Sequence, residues 1–208
     1  MDALSVLRQG PVVPVIIVND AAVAVNLARA LVNGGIRVLE VTLRTKAALA
    51  AMRRMRDEVP EAIVGAGTLR NRAQLEAAVD AGAQFGISPG FSAELASAAR
   101  ASSLTLIPGI ATPSEAMWAQ DEGFNTLKLF PAEAVGGVKL LKSLASPFPD
   151  LRFCPTGGID IKKAPEYLAL PNVLAVGGSW LTPDDAIAAR DWDRITELAR
   201  EACQLSRG

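Results

Sequence analysis

The stretch T-L-K-L-F-P-A-E (126–133) sets a single lysine, Lys128, between apolar residues of a strand-like run. In water a lysine is a solvated cation. In an apolar strand, desolvation favours the neutral amine, which is a nucleophile toward carbonyl carbon. The plainer alternative is a lysine that snorkels to solvent from an edge strand. Glu40 interrupts a similar run, V-L-E-V-T-L (38–43), where a central strand would be apolar. An inward carboxylate needs a partner or a function. A structural ion pair with Arg44 or Lys128 would satisfy it, and so would moving protons beside an imine-forming amine; the two readings overlap. Arg44 suits bidentate capture of a carboxylate, or is a surface residue at a helix start. Thr68 could donate its hydroxyl to the same carboxylate, or cap a turn. Phe130 would wall the lysine, or simply pack.

Two glycine pairs add an anion site. Gly157-Gly158 and Gly177-Gly178, the latter followed by Ser179, each come after a strand-like run. Adjacent glycines let backbone amides approach an anion closely, and a following helix N-terminus adds partial positive charge. Tight turns alone would also explain them. The other lysines, Lys46, Lys139, Lys142, Lys162 and Lys163, fall in helical or loop segments among polar neighbours, so Lys128 is the candidate nucleophile.

The composition narrows the chemistry. The chain has 208 residues and no histidine, which excludes a histidine base, a Ser-His-Asp triad and histidine-ligated metal. Two unpatterned cysteines, Cys154 and Cys203, make neither a zinc site nor an expected disulfide, and point to a reduced, cytoplasmic protein. Half the residues are hydrophobic and the net charge is −1, so bulk electrostatics give no case for nucleic acid or an anionic membrane. The cluster Arg53, Arg54 and Arg56, beside Asp57 and Glu58, reads as a solvated helix face. No signal peptide and no membrane-spanning run are expected.

Strand-like and helix-like segments alternate along the whole chain. After a short leading helix (1–9), strands are expected at 12–18, 37–43, 62–66, 84–88, 104–107, 125–130, 152–155 and 173–176. Helices fall between them, with signals at Asp20, Asn71 with Gln74, and Thr112-Pro113 with Glu115, and a last helix covers 192–206. Eight strand–helix units without a linker predict a parallel sheet closed as a single-domain (β/α)8 barrel over 1–208. An open doubly wound sheet is the alternative, but the first strand lacks a G-x-G-x-x-G turn. A barrel gathers its site at the C-terminal strand ends, where Glu40, Arg44, Thr68, Pro89, Lys128, Phe130, Thr156 and both glycine pairs fall.

The segments V-L-E-V-T-L-R-T (38–45), I-V-G-A-G-T (63–68), I-S-P-G (87–90), L-I-P-G-I-A-T (106–112), K-L-F-P-A-E (128–133), R-F-C-P-T-G-G-I (152–159) and V-G-G-S-W-L (176–181) together resemble the 2-keto-3-deoxy-6-phosphogluconate (KDPG) aldolase family. These are class I aldolases of the Entner–Doudoroff pathway, and the match runs in order through nearly the whole chain. The resemblance implies Lys128 as the Schiff-base lysine and Glu40 as the general acid/base. It implies Arg44 and Thr68 at the pyruvate carboxylate, Thr156 at a position linked to stereoselectivity, and Pro89 and Phe130 lining the substrate. Gly157-Gly158 and Gly178-Ser179 would be the phosphate turns. It further implies a homotrimer needing no metal or cofactor, whose partners are small molecules: a phosphorylated 2-keto-3-deoxy sugar acid and pyruvate. The galactonate epimer or unphosphorylated 4-hydroxy-2-oxoglutarate are the alternative substrates.

Overall fold

The computed structural model of the 208-residue chain describes residues 1–206. A leading helix α1 (Ala3–Leu7) precedes β1 (Val12–Ile16), α2 (Ala24–Asn33), β2 (Val38–Thr42), α3 (Ala48–Glu58), β3 (Ile63–Gly67), α4 (Arg72–Asp80), β4 (Phe85–Ile87) and α5 (Ala93–Arg100). The chain continues through β5 (Thr105–Ile107), β6 (Gly109–Ile110), α6 (Pro113–Asp121), β7 (Thr126–Leu129), α7 (Gly137–Ala145), β8 (Arg152–Pro155), α8 (Ala164–Leu168), β9 (Val176–Gly178), α9 (Asp184–Ala189) and α10 (Trp192–Cys203).

Helix starts follow the side-chain chemistry. Thr112 and Glu115 form a reciprocal capping box at α6, with Pro113 inside the first turn. Asn71 accepts from the Gln74 amide at 2.9 Å, and Gln74 accepts from the Arg70 amide at 2.8 Å. Asp20 caps a short 3-10 turn, Ala21–Val23, which leads into α2.

The coarse class is as expected: an α/β fold of parallel strands with helical crossovers. The strands form two sheets rather than one continuous eight-stranded ladder. The first has the order β5-β4-β3-β2-β1-β9 and the second β6-β7-β8. The expected fifth strand, 104–107, appears as β5, and an unexpected short strand, β6, follows Pro108, which has no N–H to donate to a ladder. The expected eighth strand lies later, at Val176–Gly178, while Val173 makes only an isolated bridge to Phe153. A second bridge, Thr156 to Gly177, also spans from the β8 side to the β9 side. Helix α9 was not expected, although Pro183 followed by Asp184 and Asp185 is a helix-start signal. The last helix ends at Cys203, short of 206.

Two apolar layers carry the fold. One large cluster packs the helices on the outer faces of the sheets, with Leu27, Leu31, Met52 and Met55 among its fully buried members. A smaller cluster gathers Val13, Val38, Ile63, Phe85, Ile87, Ile107 and Cys154 together with Val6 and Leu7 of α1. The leading helix therefore contributes to the cluster that Val38 enters from β2. Side chains alternate faces along a strand, so Glu40 shares the face of Val38, two residues nearer the strand's C-terminal end.

Candidate active site

Glu40 and Lys128 lie 88 residues apart in sequence and meet in the interior. The Lys128 Nζ donates to Glu40 Oε1 at 3.3 Å. Their side chains are 4% and 1% exposed. The open choice for Lys128 is thereby resolved in favour of the interior, and the partner of Glu40 is Lys128 rather than Arg44. The other five lysines of the sequence, Lys46, Lys139, Lys142, Lys162 and Lys163, are all exposed.

The strand register makes this meeting possible. Glu40 sits between Val15 of β1 and Gly65 of β3, and Lys128 between Gly109 of β6 and Cys154 of β8. Small residues clear the space. A Cβ on Gly67 would fall 2.4 Å from Glu40 Oε1, and one on Gly109 would fall 2.5 Å from the Pro89 backbone. Pro89 is thus held against the strand that pairs with Lys128. Phe130, two residues beyond the lysine, places its ring centroid 5.2 Å from Nζ. That is within the range in which an ammonium is attracted to an aromatic face.

Arg44 is exposed and reaches Thr68, with Nε donating to Oγ1 at 3.2 Å. Thr68 has φ +62°, a conformation that β-branched residues rarely adopt. The cost of that conformation goes with a hydroxyl turned toward the guanidinium. Together they make a donor pair suited to a carboxylate.

The strand-end glycines divide into two kinds. Gly157 and Gly158 have φ +108° and +80°, so they make a turn that only glycine adopts readily. Gly177 and Gly178 lie within β9, not in a turn after it, and their role is close approach. A Cβ on Gly177 would fall 2.1 Å from Thr156 Oγ1, and one on Gly178 would fall 1.9 Å from the Trp180 ring. Ser179 follows, exposed. Gly177→Ala is expected to displace the buried Thr156 and to cost about 1–3 kcal/mol of stability, read as a lower urea midpoint.

Cys154 neighbours the pair, but burial pushes its thiol up to about 12, against the smaller opposing pull of Lys128. It stays a protonated thiol at neutral pH, a poor nucleophile and a poor metal ligand. Among the described residues, no group of histidine, cysteine, aspartate and glutamate is arranged to hold a metal ion. Among the described residues, no helix is long and apolar enough to cross a membrane.

The arrangement can form an imine and move protons beside it. The amine lies within hydrogen-bond reach of a carboxylate, with a carboxylate-binding donor pair and a glycine turn at strand ends. Sequence reasoning missed Gly67, the residue that makes room for Glu40.

The chain is similar to known proteins over nearly its whole length. The family model "KDPG and KHG aldolase" matches residues 4–198. The KHG/KDPG aldolase of Escherichia coli K12 is 57% identical over 202 residues, covering 97% of this chain and 95% of its own. The KDPG aldolase of Legionella pneumophila, solved with pyruvate captured as a covalent carbinolamine, superposes with TM-score 0.96 at 45% identity and covers 98% and 99% of the two chains. The Zymomonas mobilis KDPG aldolase, solved with 3-phosphoglycerate, gives TM-score 0.92 at 47% identity over 98% and 96%. The chain belongs to the KDPG and KHG aldolase family.

Proposed function

We propose that the protein is a class I aldolase, a lyase that cleaves KDPG to pyruvate and glyceraldehyde 3-phosphate in the Entner–Doudoroff pathway. The observation that carries this reading is the buried Lys128–Glu40 contact of 3.3 Å. The carbinolamine captured in the Legionella relative and the phosphorylated ligand in the Zymomonas relative support it. A second substrate, 4-hydroxy-2-oxoglutarate, is favoured by the name of the E. coli relative, KHG/KDPG aldolase.

Lys128 and Glu40 can share one proton. With the proton on oxygen, the amine has its lone pair free to attack the C2 ketone. Loss of water from the carbinolamine gives a protonated imine. Glu40, directly or through a water, takes the proton of the C4 hydroxyl. The C3–C4 bond then breaks, its electron pair enters the imine as an enamine, and the aldehyde leaves. Protonation at C3 and addition of water to the imine release pyruvate and restore the lysine. One carboxylate serves in turn as base and acid.

The remaining residues hold the substrate. Arg44 and Thr68 bind the carboxylate of the pyruvyl end. Pro89 and Phe130 line its apolar side, and Thr156 faces the carbon whose configuration is set. Gly157, Gly158, Gly178 and Ser179 receive the phosphoryl group, which anchors the substrate far from the reacting carbons. Ser179→Ala is expected to raise KM for KDPG about tenfold, the loss of a charge-assisted hydrogen bond, with little change in kcat. Steady-state kinetics check it, and an unchanged KM would remove Ser179 from the site.

Residues 1–206 are read as a single domain in which the two sheets close as a (β/α)8 barrel. The bridges Phe153–Val173 and Thr156–Gly177 support closure on the β8–β9 side, as does the continuity of β5 with β6 through Pro108. The protein acts in the cytoplasm as a homotrimer. Exposed Met117 and Trp118, at 55% and 60%, offer α6 as an apolar contact face. Sedimentation equilibrium tests the trimer.

A further inference from the structure

The turn leaving β8 is held from one side through three successive carbonyls. The Thr156 carbonyl accepts from the Ala132 amide at 2.8 Å, and the Gly157 carbonyl from the Glu133 amide at 3.1 Å. The Gly158 carbonyl accepts from Lys163 Nζ at 3.0 Å. That ammonium also donates to Glu133 Oε2 at 2.6 Å. The other carboxylate oxygen, Oε1, accepts from the Tyr167 hydroxyl.

A trans peptide is planar, with its carbonyl and the following N–H pointing opposite ways. Anchoring the carbonyls of residues 156, 157 and 158 on the β7–α7 side therefore turns the amides of Gly157, Gly158 and Ile159 away from it. Among the described residues, the Gly158 and Ile159 amides donate no backbone hydrogen bond, while the Gly157 amide faces Gly177 across the Thr156–Gly177 bridge. Successive free amides form an anion-binding concavity.

We propose that Glu133, acting through Lys163 and braced by Tyr167, is a positioning residue for the phosphoryl group of the substrate, and that the Ile159 amide is a donor beside that of Gly158. This rests on the aldolase reading and its phosphate turn. Glu133 fixes the Gly158 amide through its backbone and the Ile159 amide through the lysine that its carboxylate holds.

The neighbouring glycines are shaped to this cluster. A Cβ on Gly158 would fall 2.7 Å from Glu133 Cγ, and one on Gly137 would fall 2.5 Å from Tyr167 Oη. The charge states are also secured. Hydrogen bonds from Lys163, then Tyr167, hold the Glu133 carboxyl below its usual range. The bond to Glu133 raises Lys163. Burial, then the bond to Glu133, raises Tyr167. A lowered carboxyl keeps its contribution at all pH above the usual carboxylate range and loses it as pH falls through the lowered value, so the cluster is intact at neutral pH.

The test compares wild type, Glu133→Gln, Lys163→Met and the double variant on KDPG and on unphosphorylated 4-hydroxy-2-oxoglutarate. Each single variant is expected to raise KM for KDPG about tenfold with kcat unchanged, and the double variant to be no worse than either. Kinetics on the unphosphorylated substrate and borohydride trapping with pyruvate should not move. An unchanged KM for KDPG overturns the proposal. A lowered KM also overturns it, because it would mean that Lys163 binds phosphate directly once freed from Glu133. Equal losses on both substrates overturn it as well, leaving only a general structural role. If Glu133→Gln does not fold, Lys163→Met, at an exposed side chain, decides by the same readouts. A wild-type enzyme that did not prefer KDPG would sink the phosphate turn itself, and this inference with it.

Discussion

Lys128→Ala is expected to end turnover, with kcat falling on the order of 10⁵-fold or more, the scale seen when a covalent nucleophile is removed. No other amine can substitute, because the other five lysines of the sequence are exposed. The alanine variant carries a second effect. It leaves the Glu40 carboxylate, 1% exposed, without its ion-pair partner. Breaking a buried pair in this way costs about 3–5 kcal/mol. A dead alanine variant could therefore be an unfolded one. Lys128→Gln separates the two effects. Its amide can still donate to Glu40, so the urea midpoint should fall less than in the alanine variant while activity stays lost. A folded glutamine variant that turned over KDPG would remove Lys128 from covalent catalysis.

Glu40→Gln is expected to lower kcat by roughly 10²- to 10⁴-fold, the range for loss of a positioned general acid–base. The amide fits the space that Gly67 leaves and keeps an oxygen toward Lys128, so the fold should hold. Pyruvate binding should weaken much less than turnover, since on this reading Arg44 and Thr68 hold its carboxylate. Deuterium exchange at the pyruvate methyl group should slow along with cleavage, because enamine protonation uses the same carboxylate. Cleavage that slowed while exchange kept its wild-type rate would assign the C3 proton to another group. Unchanged turnover would remove Glu40 from the mechanism altogether.

Much of this was legible in the sequence because it was local. Helix starts at Asn71 and Thr112 follow from side chains three residues apart, and the structure carries both caps. The order of alternating elements followed from composition and periodicity. Lys128 and Glu40 were conspicuous because each breaks an apolar run. Their pairing was not determined, since a register between strands 88 residues apart depends on the whole sheet. Strand limits failed where glycine and proline have two meanings. Gly177 and Gly178 resembled a turn and proved to be strand residues thinned for Thr156 and Trp180. Pro108 resembled a strand end and follows β5 as one, but the short strand β6 comes directly after it. The Glu133–Lys163–Tyr167 cluster was invisible, because each member alone is an ordinary helix or loop residue.

The most direct measurement is to incubate the protein with pyruvate and borohydride and to locate the adduct by peptide mass spectrometry. One reduced pyruvyl group on the peptide carrying Lys128, absent from Lys128→Gln, is the predicted result. An adduct on another lysine, or none under conditions where KDPG is cleaved, would contradict the imine mechanism.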